Sequence, residues 1–340
     1  MTDRLPYPLL SKQQLITRIN RLAALRSPFL FLIDYKARQG YVIGQDELDT
    51  NYIQFRFEIK KKERELQNKV YKTKIIENDN IIWKTQPVGL NDYTPKFDYV
   101  LQQIHRGNSF LVNLTQPTPV STNLSLLEIY DRSSAKYKLW IKDFIVVLSP
   151  ETFVRIQGHT ISSFPMKGTI EATRPDAQDI ILNDPKEMAE HATIVDLIRN
   201  DLSRVADHVK VKRYRYTEKL KTNMADLWQV SSEITGELPE DYPEHLGDIL
   251  FELLPAGSIC GAPKARTLEI IEQAEGYDRG FYTGICGYFD GENVDSGVMI
   301  RFLEQEQDQL IFKSGGGITA QSELTKEYEE LIQKVYVPVY

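Results

Sequence analysis

The stretch FIVVLSPETFVRIQGHTISSFP (144–165) decides the architecture. It holds three strand-like runs, 144–148, 153–157 and 160–165, rich in β-branched and aromatic residues. The connections between them are short. Gln157-Gly158-His159 reads as a hairpin turn. Strands joined by so few residues run antiparallel, because a parallel crossover needs about a dozen residues or more.

Outward from this stretch the same signals recur. On the N-terminal side, Pro28-Phe29-Leu30-Phe31-Leu32-Ile33 reads as a buried strand, followed by Asp34 and a turn at Gly40. Residues 41–43, 52–57 and 110–114 read as further strands. On the C-terminal side, strands are expected at 283–289, 297–304 and 309–313. Helices are expected at 95–107, ending on Gly107, and at 123–140. Asn183-Asp184-Pro185 starts another, running to about 205, with Ile194, Leu197, Ile198, Leu202 and Val205 along one apolar stripe. The last helices fall at 245–255, 263–274 and 322–335, with Gly315-Gly316-Gly317 as a loop. The lysine-rich run 59–74, with Lys60, Lys61 and Lys62, reads as a solvated helix face or hairpin rim. No repeat, low-complexity tract or Gly/Ser-rich linker divides the chain. The expected fold is α+β: one large domain, mostly antiparallel sheets at the core and helices outside.

Composition bounds the function. The 340 residues are 41% hydrophobic and 26% charged, a globular balance in a chain long enough to bury a sizeable core. A net charge of −7 weighs against a dedicated nucleic-acid partner. No run approaches the ~18–20 apolar residues of a membrane span, so no membrane partner is expected. The first residues hold no signal-peptide apolar region, and Cys260 and Cys286 suit a reducing compartment, so the expected setting is the cytoplasm. The five histidines do not stand at metal-ligand spacing.

Several side chains have chemistry to offer. Glu190 lies in the first turns of its helix, and Glu327 and Glu330 project from one side of the last helix. Carboxylates from two helices are a usual way to hold magnesium, although the same spacing serves surface salt bridges. Lys334 follows Glu330 by one turn and would add a positive charge beside the metal. Lys167, between Pro165-Met166 and Gly168, reads either as a partly desolvated nucleophile or as a strand-end lysine reaching solvent. Glu151 ends a strand and suits a general acid. Arg301 suits a carboxylate clamp or a surface salt bridge. Gly315, Gly316 and Gly317 suit an anion-binding nest or a tight turn.

Together these pieces resemble the chorismate-utilising enzymes, among them anthranilate synthase component I, aminodeoxychorismate synthase component I, isochorismate synthase and salicylate synthase. The segments that carry the resemblance are Leu-Ser-Pro-Glu (148–151), Pro-Met-Lys-Gly-Thr (165–169), Ile-Val-Asp-Leu-Ile-Arg-Asn-Asp-Leu (194–202) and Gly-Ser-Ile-Cys-Gly-Ala-Pro-Lys (257–264). Ile-Arg (300–301), Ser-Gly-Gly-Gly-Ile (314–318) and Glu-Tyr-Glu-Glu (327–330) complete them. The likeness is colinear from about residue 95 to 335. It implies a chorismate-binding catalytic region over 91–340, with 1–90 a shortened N-terminal section packed on the core. Pro-Met-Lys-Gly-Thr is similar to the aminodeoxychorismate synthase version, since anthranilate synthases typically carry alanine at position 167.

The resemblance implies a mechanism. Lys167 attacks the chorismate ring, Glu151 protonates the departing hydroxyl, and ammonia from a glutamine amidotransferase subunit replaces the lysine. The product is 4-amino-4-deoxychorismate, on the way to p-aminobenzoate and folate. It also implies Mg2+ on Glu190 and Glu330, with Glu327 in support. Arg301, Lys334 and the amides of Gly315–Gly317 would hold substrate carboxylates, with Cys260, Gly261 and His191 beside the ligand.

Three departures matter. Leu111 stands where isochorismate and salicylate synthases carry a lysine base and where aminodeoxychorismate and anthranilate synthases usually carry glutamine. Leucine cannot take a proton, which argues against water addition. Cys260 replaces a usual threonine. His191 occupies a position linked to pyruvate elimination in anthranilate synthases. No Leu-Leu-Glu-Ser type motif of a tryptophan site is present. Two further readings therefore stand beside aminodeoxychorismate synthesis: anthranilate synthase component I or another chorismate lyase, and a non-catalytic chorismate-binding paralogue. The intact set of Glu151, Lys167, Glu190, Glu330 and Arg301 counts against the last.

Overall fold

The three runs of 144–165 form as expected, but they do not stay in one sheet. Ile145–Ser149 belongs to one sheet; Thr152–Gln157 and Thr160–Ser163 belong to the other. The chain crosses between sheets at Pro150-Glu151. A computed structural model of the protein describes residues 5–57, 81–220 and 226–337. The lysine-rich run 59–74 lies outside the described residues.

Among the described residues the strands form a ten-stranded and an eight-stranded sheet, every pairing antiparallel. In the larger sheet Ile285–Phe289 lies between Phe29–Ile33 and Val294–Val298, and Thr152–Gln157 pairs beyond the latter. In the smaller sheet Gln309–Ile318 lies between Leu111–Thr122 and Phe302–Glu306, followed by Ile145–Ser149 and Tyr137–Ile141. The N-terminal section enters both, with Phe29–Ile33 in the larger and Ile53–Arg56 in the smaller.

The apolar runs are continuous because both faces of each sheet are covered. Leu30 and Leu32 of the larger sheet meet Leu139, Ile145 and Val147 of the smaller one in the core between them. On the opposite face, Phe29, Phe31 and Ile33 pack against helix residues Leu15, Ile19 and Leu250. Val112, Leu114 and Ile318 are covered by Phe97, Ile270 and Leu331 from three helices. Each such fully buried side chain contributes about 1.5–3 kcal/mol relative to exposure.

The structure corrects several expectations. The helix expected over 123–140 is only Leu126–Arg132, and Tyr137–Ile141 is a strand. Ser125 and Glu128 form a capping box that starts this helix, and Ser133 ends it in extended backbone. All five residues of Tyr137–Ile141 are then buried, Lys138 included. The strand expected over 297–304 is two strands, Val294–Val298 and Phe302–Glu306, in different sheets. Arg301 between them has φ +50°, a left-handed conformation that an extended strand cannot contain. Gly315–Gly317 is no loop but the interior of Gln309–Ile318. The helix expected from 95 begins at Leu90, and that expected to 205 ends at Leu202. At its start, Asp184 caps the Glu187 amide and Pro185 opens the first turn, as the signal predicts. The long antiparallel pair Asp207–Leu220 and Leu227–Glu237 has no counterpart among the sequence expectations. Its alternation is masked by charged residues on an edge strand. Among the described residues no helix is long and apolar enough to cross a membrane.

Candidate active site

The two sheet crossovers place the first pair of site residues. Glu151 follows Ile145–Ser149 and precedes Thr152–Gln157, while Arg301 joins Val294–Val298 to Phe302–Glu306. The crossovers brace one another: the Val298 amide donates to the Glu151 carbonyl at 3.1 Å, and the Leu148 amide to the Arg301 carbonyl at 3.2 Å. Glu151 lines a cleft with Ser163, Asp201, Ala256, Gly257 and Ser258. Burial pushes this carboxyl above the usual carboxylate range, against the opposing pull of a Ser258 hydrogen bond and the Lys167 charge.

Lys167 lies on Met166–Glu171, where its register with Leu227–Glu237 shifts at Gly168. Gly168 has φ +76°, which lets the strand bulge beside the lysine. The Lys167 ammonium faces the Glu190 carboxylate at 3.4 Å, with the two side chains 24% and 15% exposed. Of the two sequence readings, partly desolvated nucleophile or strand-end lysine reaching solvent, neither foresaw that a carboxylate on Pro185–Leu202 would face the amine. The amine also approaches the glycine strand. A Cβ added at Gly317 would lie 3.3 Å from Lys167 Nζ and 3.0 Å from Leu111 Cδ1. Leu111 therefore puts apolar carbon beside the amine.

The same strand gathers the residues of the last helix, Leu324–Gln333. Lys334 Nζ donates to the Gly315 carbonyl at 3.0 Å and pairs with Glu330 at 2.6 Å. A Cβ at Gly316 would lie 3.5 Å from oxygens of both Glu327 and Glu330. Glu327 is buried and accepts from the Ser322 hydroxyl at 2.7 Å. The expected nest does not form, because successive N–H groups of an extended strand point to opposite sides. Since Phe302–Glu306 pairs only as far as Lys313, the segment 314–318 keeps one edge uncovered by it. Arg301 donates to the Lys334 carbonyl at 2.9 Å, and its guanidinium lies 4.5 Å from the Tyr336 ring centroid.

These carboxylates are hard oxygen donors of the kind Mg2+ prefers, and the missing Cβ of Gly316 leaves a cradle under two of them. Glu190 is turned to Lys167 instead. Among the described residues no group of three His, Cys, Asp or Glu side chains stands at metal-binding spacing.

His191 is buried beside Glu190. Its Nε2 lies 2.7 Å from the Ser232 hydroxyl, and its Nδ1 has no hydrogen-bond partner. Burial first, then the Arg215 and Lys167 charges, lower its pKa to about 4, so the ring is neutral. Cys260 corrects an expectation. Its thiol is fully buried in the core against Tyr35, where desolvation raises its pKa to about 11, and it does not face the cleft. Gly261 is a backbone requirement. At φ +128°, any Cβ would strike the Leu111 carbonyl across the pair Gly261–Ala262 makes with Leu111–Val112.

Two features escaped the sequence reading. Ser258, inside Gly-Ser-Ile-Cys-Gly-Ala-Pro-Lys (257–264), carries no local signal that it reaches Glu151. Arg279 and Glu275 form a fully buried pair at 2.6 Å, with Arg279 also donating to the carbonyls of Asn113 and Ile259. The only signal was an i,i+4 charge pair spanning the helix end at Gly276.

Residues 21–339 match the chorismate binding enzyme family, and the chain belongs to that family. An uncharacterized PabA-like protein of Pasteurella multocida is 46% identical over 330 residues, covering 97% of this chain and 100% of that protein. Aminodeoxychorismate synthase component 1 of Escherichia coli is 34% identical over 260 residues, and anthranilate synthase component 1 of Thermococcus kodakarensis 35% over 246. These alignments cover 72% and 69% of this chain but 56% of each relative, so the chain spans about half their length. In fold the chain is similar to the 2,3-dihydroxybenzoate-specific isochorismate synthase of Bacillus anthracis. The TM-score is 0.71 at 18% identity, over 96% of this chain and 89% of that one.

Proposed function

We propose that this protein aminates chorismate to 4-amino-4-deoxychorismate. The observation that carries the reading is the buried carboxyl of Glu151 at the sheet crossover, bonded to Ser258 and favoured in its protonated form by burial, together with the part-buried amine of Lys167. A hydroxyl is a poor leaving group and needs an acid; an amine nucleophile divides one hard displacement into two easier ones. The Lys167 ammonium first gives a proton to solvent, and the lone pair of the resulting amine forms the new bond to the ring. The carbon–oxygen bond breaks, and Glu151 gives its proton to the departing hydroxyl, which leaves as water. Ammonia then bonds to the ring, the lysine leaves with its electron pair as a neutral amine, and the new ring ammonium returns a proton to Glu151, which restores the acid. The net change is chorismate plus ammonia to aminodeoxychorismate plus water.

Arg301, Lys334 and the open edge of Gly315–Gly317 supply positive charge and N–H donors for a dicarboxylate substrate. Glu327 and Glu330, which converge over Gly316, would hold Mg2+, joined by Glu190 once it turns from Lys167; the ion when bound supplies a positive centre for a substrate carboxylate. Leu111 keeps apolar carbon beside Lys167, where no residue at that position can activate water. A glutamine amidotransferase subunit would deliver the ammonia, and the setting is the cytoplasm. The similarity to the Escherichia coli relative and the lysine of Pro-Met-Lys-Gly-Thr support this assignment.

One observation favours a second reading. The unpartnered Nδ1 of neutral His191 suits contact with a ligand oxygen, and an anthranilate synthase is as similar to this chain. Incubation with chorismate, magnesium and ammonium at high pH, followed by mass spectrometry, separates the two. An aminated product that retains the enolpyruvyl group is expected. Anthranilate with pyruvate would establish the lyase, and no consumption of chorismate would sink both.

Gly317→Ala tests the floor of the site. The new methyl would push on Lys167 and Leu111, which give by a few tenths of an ångström. Turnover should fall about 10-fold, since misplacing a reacting group by ~1 Å costs about 100-fold. The thermal midpoint should barely move. An unchanged rate would mean that the amine does not act from this position.

A further inference from the structure

We propose that Ser258 is a positioning residue for Glu151, aiming its carboxyl so that one chosen oxygen carries the proton to the substrate. The inference rests on the reading of Glu151 as the general acid. A protonated carboxyl has one oxygen that only accepts and one that donates. The Ser258 hydroxyl donates to Glu151 Oε1. Oε1 is thereby the accepting oxygen, and the transferable proton belongs on Oε2. As that proton leaves, charge develops on the carboxylate, and a hydroxyl already pointed at it strengthens its hold without reorganising.

The hydroxyl is aimed by its surroundings. Ser258 sits in the short turn Gly257–Ile259, whose two ends are pinned. On one side, a Cβ at Gly257 would lie only 3.0 Å from Leu197 Cδ2 and 3.1 Å from Asp201 Oδ2, so the turn presses on the helix Pro185–Leu202. Asp201 is fixed in turn by Lys264 at 2.6 Å, and Lys264 also donates to the Leu253 carbonyl at 2.9 Å. On the other side, the Ile259 carbonyl accepts from buried Arg279 at 3.1 Å. The Glu151 backbone is equally held, its amide donating to the Ser149 hydroxyl at 3.1 Å and its carbonyl accepting from Val298. With both backbones fixed, the hydrogen bond between the side chains sets the carboxyl plane.

The test is a double-mutant cycle on kcat in the ammonium-dependent chorismate assay. Ser258→Ala should lower kcat about 10- to 100-fold, the scale of one hydrogen bond to a charged group, with KM for chorismate within about 2-fold. Ser258→Thr, which keeps the hydroxyl, should retain most of kcat. Ser258→Cys, a poorer donor, should fall between, so the ranking survives even if the alanine variant melts early. In a Glu151→Gln background, Ser258→Ala should cost less than about 2-fold further, because its effect runs through the missing acid. Equal losses from Ser258→Ala in both backgrounds, or a kcat unchanged by it, would overturn the assignment. Wild-type protein that never consumes chorismate would instead overturn the functional reading beneath it.

Discussion

Lys167→Ala should abolish amination, lowering turnover by about 10³-fold or more, and should remove the covalent adduct from the intact-mass spectrum of protein mixed with chorismate. Alanine leaves the strand pairing Lys167↔Val230 in place, because that contact is made by backbone groups. The substitution also removes the 3.4 Å ion pair with Glu190, whose side chain is only 15% exposed, so some stability is lost along with the amine. Loss of activity far beyond what a modest fall in the melting curve could cause is therefore the expected pattern. Lysine to arginine should fail as well, since a guanidinium stays protonated and offers no lone pair. A mass adduct that persists unchanged in the alanine variant would show that another residue is the nucleophile.

The largest stability effect is expected at Arg279, far less conspicuous in the sequence. Arg279→Met should destabilise the protein by about 3–5 kcal/mol, read as a lower urea midpoint at unchanged slope. The cause is the partner left behind. Glu275 is buried, bonds Arg279 through both oxygens at 2.6 and 2.8 Å, and also accepts from the Thr115 amide and hydroxyl. Without the guanidinium it would be a buried charge that loses its bidentate partner and is left with the Lys96 ammonium, which donates to the Glu275 main-chain carbonyl at 3.0 Å. Arg279→Lys should recover little, because an ammonium cannot reproduce the fork that reaches Glu275, Ile259 and Asn113 together. A cost below about 1 kcal/mol would mean that water or a protonated Glu275 relieves the cavity.

The legible part of the fold was what local rules control. Asn183-Asp184-Pro185 and the Gln157-Gly158-His159 turn announce themselves because capping and turn chemistry act within a few residues. Buried strands such as Phe29–Ile33 were readable from composition. Tyr137–Ile141 was lost because a strand covered on both faces has no alternation, and a long apolar run can be taken for a helix. The glycine triplet was misread for a related reason. Glycine signals freedom, but here the pairing of Gly315, Gly316 and Gly317 with Thr115, Leu114 and Asn113 overrides it. At the site, residue types were visible in the motifs, while relations were not. Nothing in the sequence said that Glu190 would face Lys167, that Cys260 would turn into the core, or that Ser258 would reach Glu151. Each depends on long-range packing, with the helix Pro185–Leu202 lying on the larger sheet and against the turn Gly257–Ile259.

The packing of the larger sheet against the smaller has a mechanical consequence. Lys167 is carried by the ten-stranded sheet, and the glycine floor beneath its amine by the eight-stranded one. Glu151 and Arg301 are tethered to both at the crossovers. The gap across which bonds would form is thus a spacing between two slabs, and the shim that sets it is the layer of Leu30, Leu32, Leu139, Ile145 and Val147 between them. Side chains that touch no substrate gauge the reaction distance, and the thickness of an oily layer becomes a parameter of the chemistry.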